Sequence, residues 1–424
     1  MDALVPVFNK TVLKNGIRVL TECHPSTRCA VVGFWLDRGT RDEDAKLMGA
    51  SHLIEHMVFK GTKKLSTFQI AQKIEAVGGE INAFTTKEHT CFHTTTLTED
   101  LELSIDILSQ LFHEATFDKI EFEKEKNVVL QELLMSKDDI EDAVFDDYFE
   151  KAFPKNPLGW PIIGTEKTLA RMTPDNLKEW YLGNYLAGNL IISVAGNVKH
   201  DEVVDYAEKY IGHLGKAKIS SKRTAPKLMP LRAATSRKTE QVHIVLGLPS
   251  IPYDAKDRFD SYLVNACLGG GMTSRLYQNI REDKGWAYSV FSMLNTYTDF
   301  GVQLIYAATD RKLHRKVVEE LISELAFLRK HKLKQDELDF YMRQVRGQLL
   351  IAAEDVESRM NSLAVNEMTF GEYRSVDSVI REMDQVTLKR VNRYIDEYLD
   401  LDQLNLFLMG SLDEDKTKKW LKAL

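Results

Sequence analysis

A chain of 424 residues is too long for one hydrophobic core, so it divides into at least two domains of ordinary size. A hydrophobic content of 44% and a charged content of 28% are those of a soluble globular protein, and no apolar run is long enough to cross a bilayer. The net charge of −7 argues against a nucleic-acid partner.

The N-terminal run Met1-Asp2-Ala3-Leu4-Val5-Pro6 has neither a basic n-region nor an apolar h-region, so no secretory leader is expected. Cys23, Cys29, Cys91 and Cys267 are scattered, with no C-x-x-C pair. Neither a disulfide framework nor a thiolate zinc site is indicated, and a reducing compartment is expected. Residues 11–22 and 28–37 alternate as strands do, with Lys14-Asn15-Gly16 as a hairpin turn.

Asp42-Glu43-Asp44 then place acidic residues where a helix N-terminus would use them. Leu47, Ala50, Leu53, Ile54, Met57 and Val58 recur at helical spacing, and Gly61 can close the element. Within it lies His52-Leu53-Ile54-Glu55-His56. On a helix His52 and His56 stand one turn apart on one face, so two imidazoles can reach one ion. Glu55 can point to the same place and take a proton from a water activated there.

A second helix is expected from about Ser66 to Val77, ending at Gly78-Gly79. The Thr- and aromatic-rich runs 80–86 and 89–97 read as strands joined at Lys87-Glu88. His89 and His93 alternate on the second of these and read as ordinary strand residues. Thr98 caps a helix to about His113, Asp118 with Glu121 caps another to about Ser136, and a further helix covers 139–152. A Pro/Gly-rich loop spans Pro154–Thr165. Thr173-Pro174 opens a helix to Leu182, followed by the apolar strand Leu190–Ala195 and a helix over about 200–214.

Residues 215–229 are basic and poor in apolar side chains, as a solvated linker is. Domains are therefore expected at 1–214 and 230–424. The second repeats the first: Thr173 precedes Gly196 by 23 positions, and Thr387 precedes Gly410 by 23. The helix through Tyr262-Leu263-Val264-Asn265-Ala266 stands where the His/Glu/His helix stood, with the metal-binding types replaced. The fold class expected is α+β: two related domains, each a mainly antiparallel sheet with helices packed on one face.

A third ligand is needed, with one position left open. Glu132, among mostly apolar neighbours in 128–134, is the candidate, because a carboxylate in apolar surroundings is costly unless paired or metal-bound. Glu125 lies two turns earlier on nearly the same face.

The pentapeptide, Glu132 at 76 positions beyond His56, and Glu125 resemble the pitrilysin/insulinase family of zinc metallopeptidases. The likeness is to its short-subunit branch, which includes the mitochondrial processing peptidase β-subunit and bacterial relatives. It extends through His56–Thr62, Gly78–Thr90, Leu158–Gly164, Leu268–Leu276, Arg281 and Trp286–Val290. The resemblance implies one Zn2+ per chain on His52, His56 and Glu132, with Glu55 as general base and Glu125 as an assisting carboxylate. It implies that Asn82, Ala83, Phe84 and Thr85 form a substrate-binding edge strand, and that Arg281 and Tyr288 hold the substrate backbone and the oxyanion.

The implied activity is zinc-dependent endopeptidase, acting on peptides or unfolded segments inside a chamber. A non-catalytic scaffold or substrate-presenting subunit of a processing-peptidase-like complex is the alternative. Long family members carry two such halves as a clamshell, and this chain supplies one. A homodimer, or a heterodimer with a related subunit, is therefore expected. The bacterial-type cytoplasm is the expected location, and a matured organellar matrix the alternative.

Overall fold

The computed structural model describes residues 6–220 and 223–424, and the chain in it forms two compact units. Met1–Val5 of the leader reading, and Ser221 and Lys222 of the linker reading, lie outside the described residues. The first unit holds residues up to Leu134, then Trp160–Arg223 and Ile351–Arg374. The second holds Met135–Gly159, Thr224–Leu350 and Ser375–Leu424.

The first unit is built on β1 (Val7–Val12), β2 (Arg18–Cys23), β3 (Cys29–Leu36), β4 (Glu80–Thr85), β5 (Thr90–Leu97) and β6 (Leu190–Gly196). Their order is β1-β2-β6-β3-β5-β4, antiparallel throughout except for the parallel pair β2 and β6. The second is built on β7 (Arg232–Ser236), β8 (Gln241–Ser250), β9 (Ala287–Thr296), β10 (Gly301–Asp310) and β11 (Asn405–Gly410). Its order is β7-β11-β8-β10-β9, again with one parallel pair, β7 and β11. Apart from the extra strand β1, the two orders superimpose position by position, which accounts for the repeat in the sequence.

One face of the first sheet carries Val32, Phe34 and Val194 against Leu53, Ile54 and Met57 of helix Ala50–Val58 and Ile105, Leu108 and Phe112 of helix Leu101–His113. The other face is covered too. Val31, Trp35, Cys91 and Ile191 pack on Met360, Leu363 and Ala364 of helix Val356–Phe370. This explains why β3 is apolar at nearly every position: a strand buried on both faces does not alternate. The second sheet is served likewise, its extra face receiving Val144, Tyr148 and Phe149 of helix Ile140–Ala152. Each sheet is thus backed by a helix from the opposite half of the sequence. Glycines make room for these helices, since a Cβ at Gly33 of β3 would collide with Met360 and one at Gly247 of β8 with Tyr148.

The backing helix of the first sheet is also pinned by charge. Arg359 Nε and Nη2 each donate to Glu22 of β2 at 2.7 Å, with both side chains buried. Burial pushes the Glu22 carboxyl up, but hydrogen bonds from His24 and Arg359 overcome it and hold it at about 2. The segment after 214 is exposed but tethered through its backbone: Gly188 N donates to the Ala217 carbonyl, and Asn189 bonds the backbone of Ile219 in both directions.

Candidate metal centre

The helix bearing the His/Glu/His pattern starts later than its sequence suggests, at Ala50, because Gly49 takes a left-handed conformation with φ of 94°. The acidic run still caps it, from a distance. Glu43, buried, accepts from Gly49 N at 2.8 Å and Ser51 N at 2.6 Å, which satisfies donors at the helix start. Leu53, Ile54, Met57 and Val58 are at most 1% exposed and fix the helix to the sheet. Their burial contributes about 6–12 kcal/mol before the entropy of ordering is subtracted. The face so anchored leaves His52, Glu55 and His56 turned the other way.

Helix Lys119–Asp138 supplies the carboxylates. Phe122, Val129 and Leu133 form its buried stripe, with Glu125 buried among them. Glu132 Oε2 lies 3.4 Å from His56 Nε2 and 3.8 Å from His52 Nε2. One donor atom from each of the three lies within 4.8 Å of the others. Donors around a tetrahedral zinc at about 2.0–2.2 Å stand about 3.3–3.6 Å apart, so the Glu132–His56 spacing suits such an ion and the Glu132–His52 spacing is slightly longer. The expected apolar surroundings hold for Glu125 and not for Glu132, whose side chain is 39% exposed. Val128 and Leu134 beside it are exposed, so burial does not penalise the Glu132 carboxylate.

The outer partners also fit a metal. His56 Nδ1 lies 3.3 Å from Glu125 Oε2, so a proton on Nδ1 leaves the Nε2 lone pair turned toward Glu132. Glu125 is held in turn by Lys60 Nζ at 2.8 Å. Burial, with the neighbouring His56 charge second, pushes the His52 imidazolium down to about 4, so its ring is neutral at ordinary pH. His52 Nδ1 is buried with no hydrogen-bond partner among the described residues, unlike Nδ1 of His56.

Glu55 accepts from Thr85 Oγ1 at 2.6 Å. Burial pushes its carboxyl up, and nearby Glu132 adds to this while Thr85 and His56 oppose it. A carboxylate so placed is a better proton acceptor than a solvated one. Thr85 ends β4, the edge of the sheet, on which Asn82, Ala83 and Phe84 also lie. The Asn82 side chain accepts from Ala83 N at 2.8 Å. His89 and His93 are turned elsewhere, His89 against Trp35 and Phe84 and His93 against Phe84.

Arg281 and Tyr288 belong to the second unit. The Arg281 guanidinium stands 5.0 Å from the Tyr288 ring centre and 4.7 Å from that of Tyr277, and Tyr288 is 77% exposed. In that unit lies Asn265, which the sequence repeat sets against Glu55, and its Oδ1 accepts from Ser292 and Gln303, each at 2.8 Å. No metal-ligand cluster accompanies it among the described residues.

Three contacts escaped sequence reasoning: Thr85 as the partner of Glu55, Lys60 as the partner of Glu125, and Glu43 as the helix cap. Lys60 could have been suspected, since it stands one turn beyond His56. The other two depend on how loops fold back.

Comparison with known proteins identifies relatives of the whole chain. Residues 18–166 match the family model described as insulinase, peptidase family M16, and residues 171–345 match the one described as peptidase M16 inactive domain. An uncharacterized zinc protease of Bacillus subtilis is 35% identical over 386 residues, covering 91% of this chain and 94% of the relative. Another, of Streptomyces coelicolor, is 36% identical over 391 residues, covering 90% and 85%. Among solved structures, a protease from Helicobacter pylori superimposes with a TM-score of 0.88 at 21% identity, covering 96% of this chain and all of that one. A peptidase M16 inactive domain from Pseudomonas fluorescens gives 0.89 at 19%, covering 96% and 98%.

Proposed function

The chain belongs to the M16, or insulinase, family of peptidases, and on that premise we propose that it is a zinc-dependent endopeptidase. The observation that carries this is the convergence of His52, His56 and Glu132, with Glu55 beside them held by Thr85. The part matched by the inactive-domain model begins at residue 171, beyond all five of these residues.

His52, His56 and Glu132 would hold one zinc ion per chain. When bound, the ion supplies a Lewis acid that polarises the scissile carbonyl and acidifies water. Glu55 takes the proton of the attacking water and returns it to the leaving amine nitrogen, Thr85 fixing one of its oxygens meanwhile. Glu125 keeps His56 in the tautomer protonated on Nδ1, which leaves the Nε2 lone pair for the metal. A peptide adds to the free edge of β4 at Asn82–Thr85 through backbone hydrogen bonds, which favours extended substrates over any particular side chain. Arg281 and Tyr288 bring a cation and a phenol for the substrate backbone and the developing oxyanion.

Two chains, or this chain and a related subunit, would close into one chamber, with the metal centre of one chain served by Arg281 and Tyr288 of the other. Among the described residues no helix is long and apolar enough to cross a membrane. The bacterial relatives support a cytoplasmic setting.

The test is metal content and hydrolysis of an internally quenched peptide by wild type and Glu55→Gln. The variant is expected to keep zinc and lose turnover by about a hundredfold or more. Undiminished hydrolysis would remove Glu55 from the mechanism, and absence of hydrolysis by the metal-loaded wild type would favour the scaffold reading.

A further inference from the structure

We propose that Arg223, the last residue of the first unit before the chain passes to the second, is a positioning residue that holds Glu55 in its working geometry. This rests on Glu55 acting as the general base.

Sequence composition places Arg223 in a solvated basic linker, and Lys216, Lys218 and Lys227 of that stretch are indeed exposed. Arg223 is not: its side chain is only 8% exposed and ends in a polar nest. Nη2 donates to Asp42 Oδ2 at 2.7 Å and to the Glu88 carbonyl at 2.5 Å, and lies 3.4 Å from Asp37 Oδ1. Asp42, itself buried, also accepts from Gly39 N and from Arg38 Nη1, each at 3.1 Å. One guanidinium therefore ties the segment 37–42 to the turn between β4 and β5.

Backbone bonds join the same two pieces: Thr40 N donates to the Thr86 carbonyl at 3.1 Å, and Arg41 N to the Lys87 carbonyl at 2.8 Å. Each piece leads in one residue to a group that sets Glu55. After Asp42 comes Glu43, whose carboxylate caps the helix on which Glu55 rides. Before Thr86 comes Thr85, whose hydroxyl holds the Glu55 carboxylate. Both supports of the base thus hang on a junction clamped by Arg223. A flat fork bonding several acceptors at once is a task for arginine that lysine performs poorly.

The experiment uses the full chain, with Arg223→Met, Arg223→Lys and Asp42→Asn. Amide hydrogen exchange in Arg223→Met is expected to rise about tenfold within 39–43, 49–53 and 84–90, and to stay unchanged in β6 and in helix Leu101–His113. On a quenched peptide kcat is expected to fall about tenfold, with KM within a factor of about two and zinc content unchanged. Arg223→Lys should fall between, and Arg223→Met with Asp42→Asn should be no worse than either alone. Unchanged exchange at Gly49, Ser51 and Thr85, a uniform rise across the unit, or additive losses would each overturn the proposal. If Arg223→Met does not fold, Arg223→Lys carries the same comparison. The exchange measurement decides the role of Arg223 whether or not the wild type cleaves peptides, so it is separable from the endopeptidase reading.

Discussion

The Thr85 hydroxyl donates to the Glu55 carboxylate across 2.6 Å, linking the last residue of an edge strand to the centre of the motif helix. If a peptide lies along that strand, the residue that ends its docking edge also aims the base. Removing the hydroxyl while keeping the shape, as in Thr85→Val, forfeits a hydrogen bond to a charged group, worth about 1.5–3 kcal/mol. The variant is expected to lose about tenfold in kcat with zinc content unchanged, as steady-state kinetics and metal analysis would report. An unaltered kcat would mean that Glu55 needs no such support.

Glu125 reaches the site only through His56, at 3.3 Å from its Nδ1. Glu125→Gln is expected to weaken zinc binding about 10–100-fold, the range found for partners of ligating histidines. Competition against a chromophoric chelator measures this directly. Lys60→Met should act in the same direction and more weakly, because Lys60 holds Glu125 at 2.8 Å and touches no ligand.

Tyr288 offers an exposed phenol beside Arg281, in a unit without a metal cluster among its described residues. Tyr288→Phe keeps the ring under the guanidinium and removes the hydroxyl alone. Loss of one oxyanion donor lowers kcat by about a hundredfold or more, and that is the expectation here with zinc content and melting temperature unmoved. Full activity in this variant would remove the phenol from the reaction.

Acid should release the helix that backs the first sheet. The Glu22 carboxyl sits at about 2 in the folded chain against 4.5 for a free one. Its pairing with His24 and Arg359 therefore stabilises fully above about 4.5 and is lost as pH falls toward 2. Chemical denaturation across this window should show stability declining in wild type, and declining less in Glu22→Gln. At neutral pH Arg359→Met is expected to cost about 3–5 kcal/mol, because it leaves the buried Glu22 carboxylate without its guanidinium partner. A smaller loss in Glu22→Gln/Arg359→Met than in Arg359→Met would show that the isolated charge, rather than lost packing, is responsible.

Much of this architecture could be read from the chain before any coordinates, and the reasons are local. Helical spacing alone puts His52 and His56 on one face, and Ser66, Thr173 and Thr387 each cap the helix that their sequence announces. The matched steps of 23 residues from Thr173 to Gly196 and from Thr387 to Gly410 exposed the repeat. What stayed hidden depends on distant partners. Nothing near Val356–Phe370 says that this helix backs the first sheet, since its mate Glu22 lies 337 positions away. Arg223 looks like a linker charge until Asp42 and Glu88 are seen around it. Glu43 reads as the first turn of a helix because acidic runs usually are, whereas the left-handed Gly49 moves the start and makes Glu43 a cap from outside.

The most direct measurement is the zinc content of the purified chain and of His52→Ala, His56→Ala and Glu132→Gln, each assayed for hydrolysis of an unfolded peptide. One ion per chain is expected in wild type, with loss of both metal and hydrolysis in the histidine variants and about a hundredfold weaker binding in Glu132→Gln. Wild type that holds no zinc after equilibration with the ion, or histidine variants that still bind it and cleave at the native rate, would contradict the account.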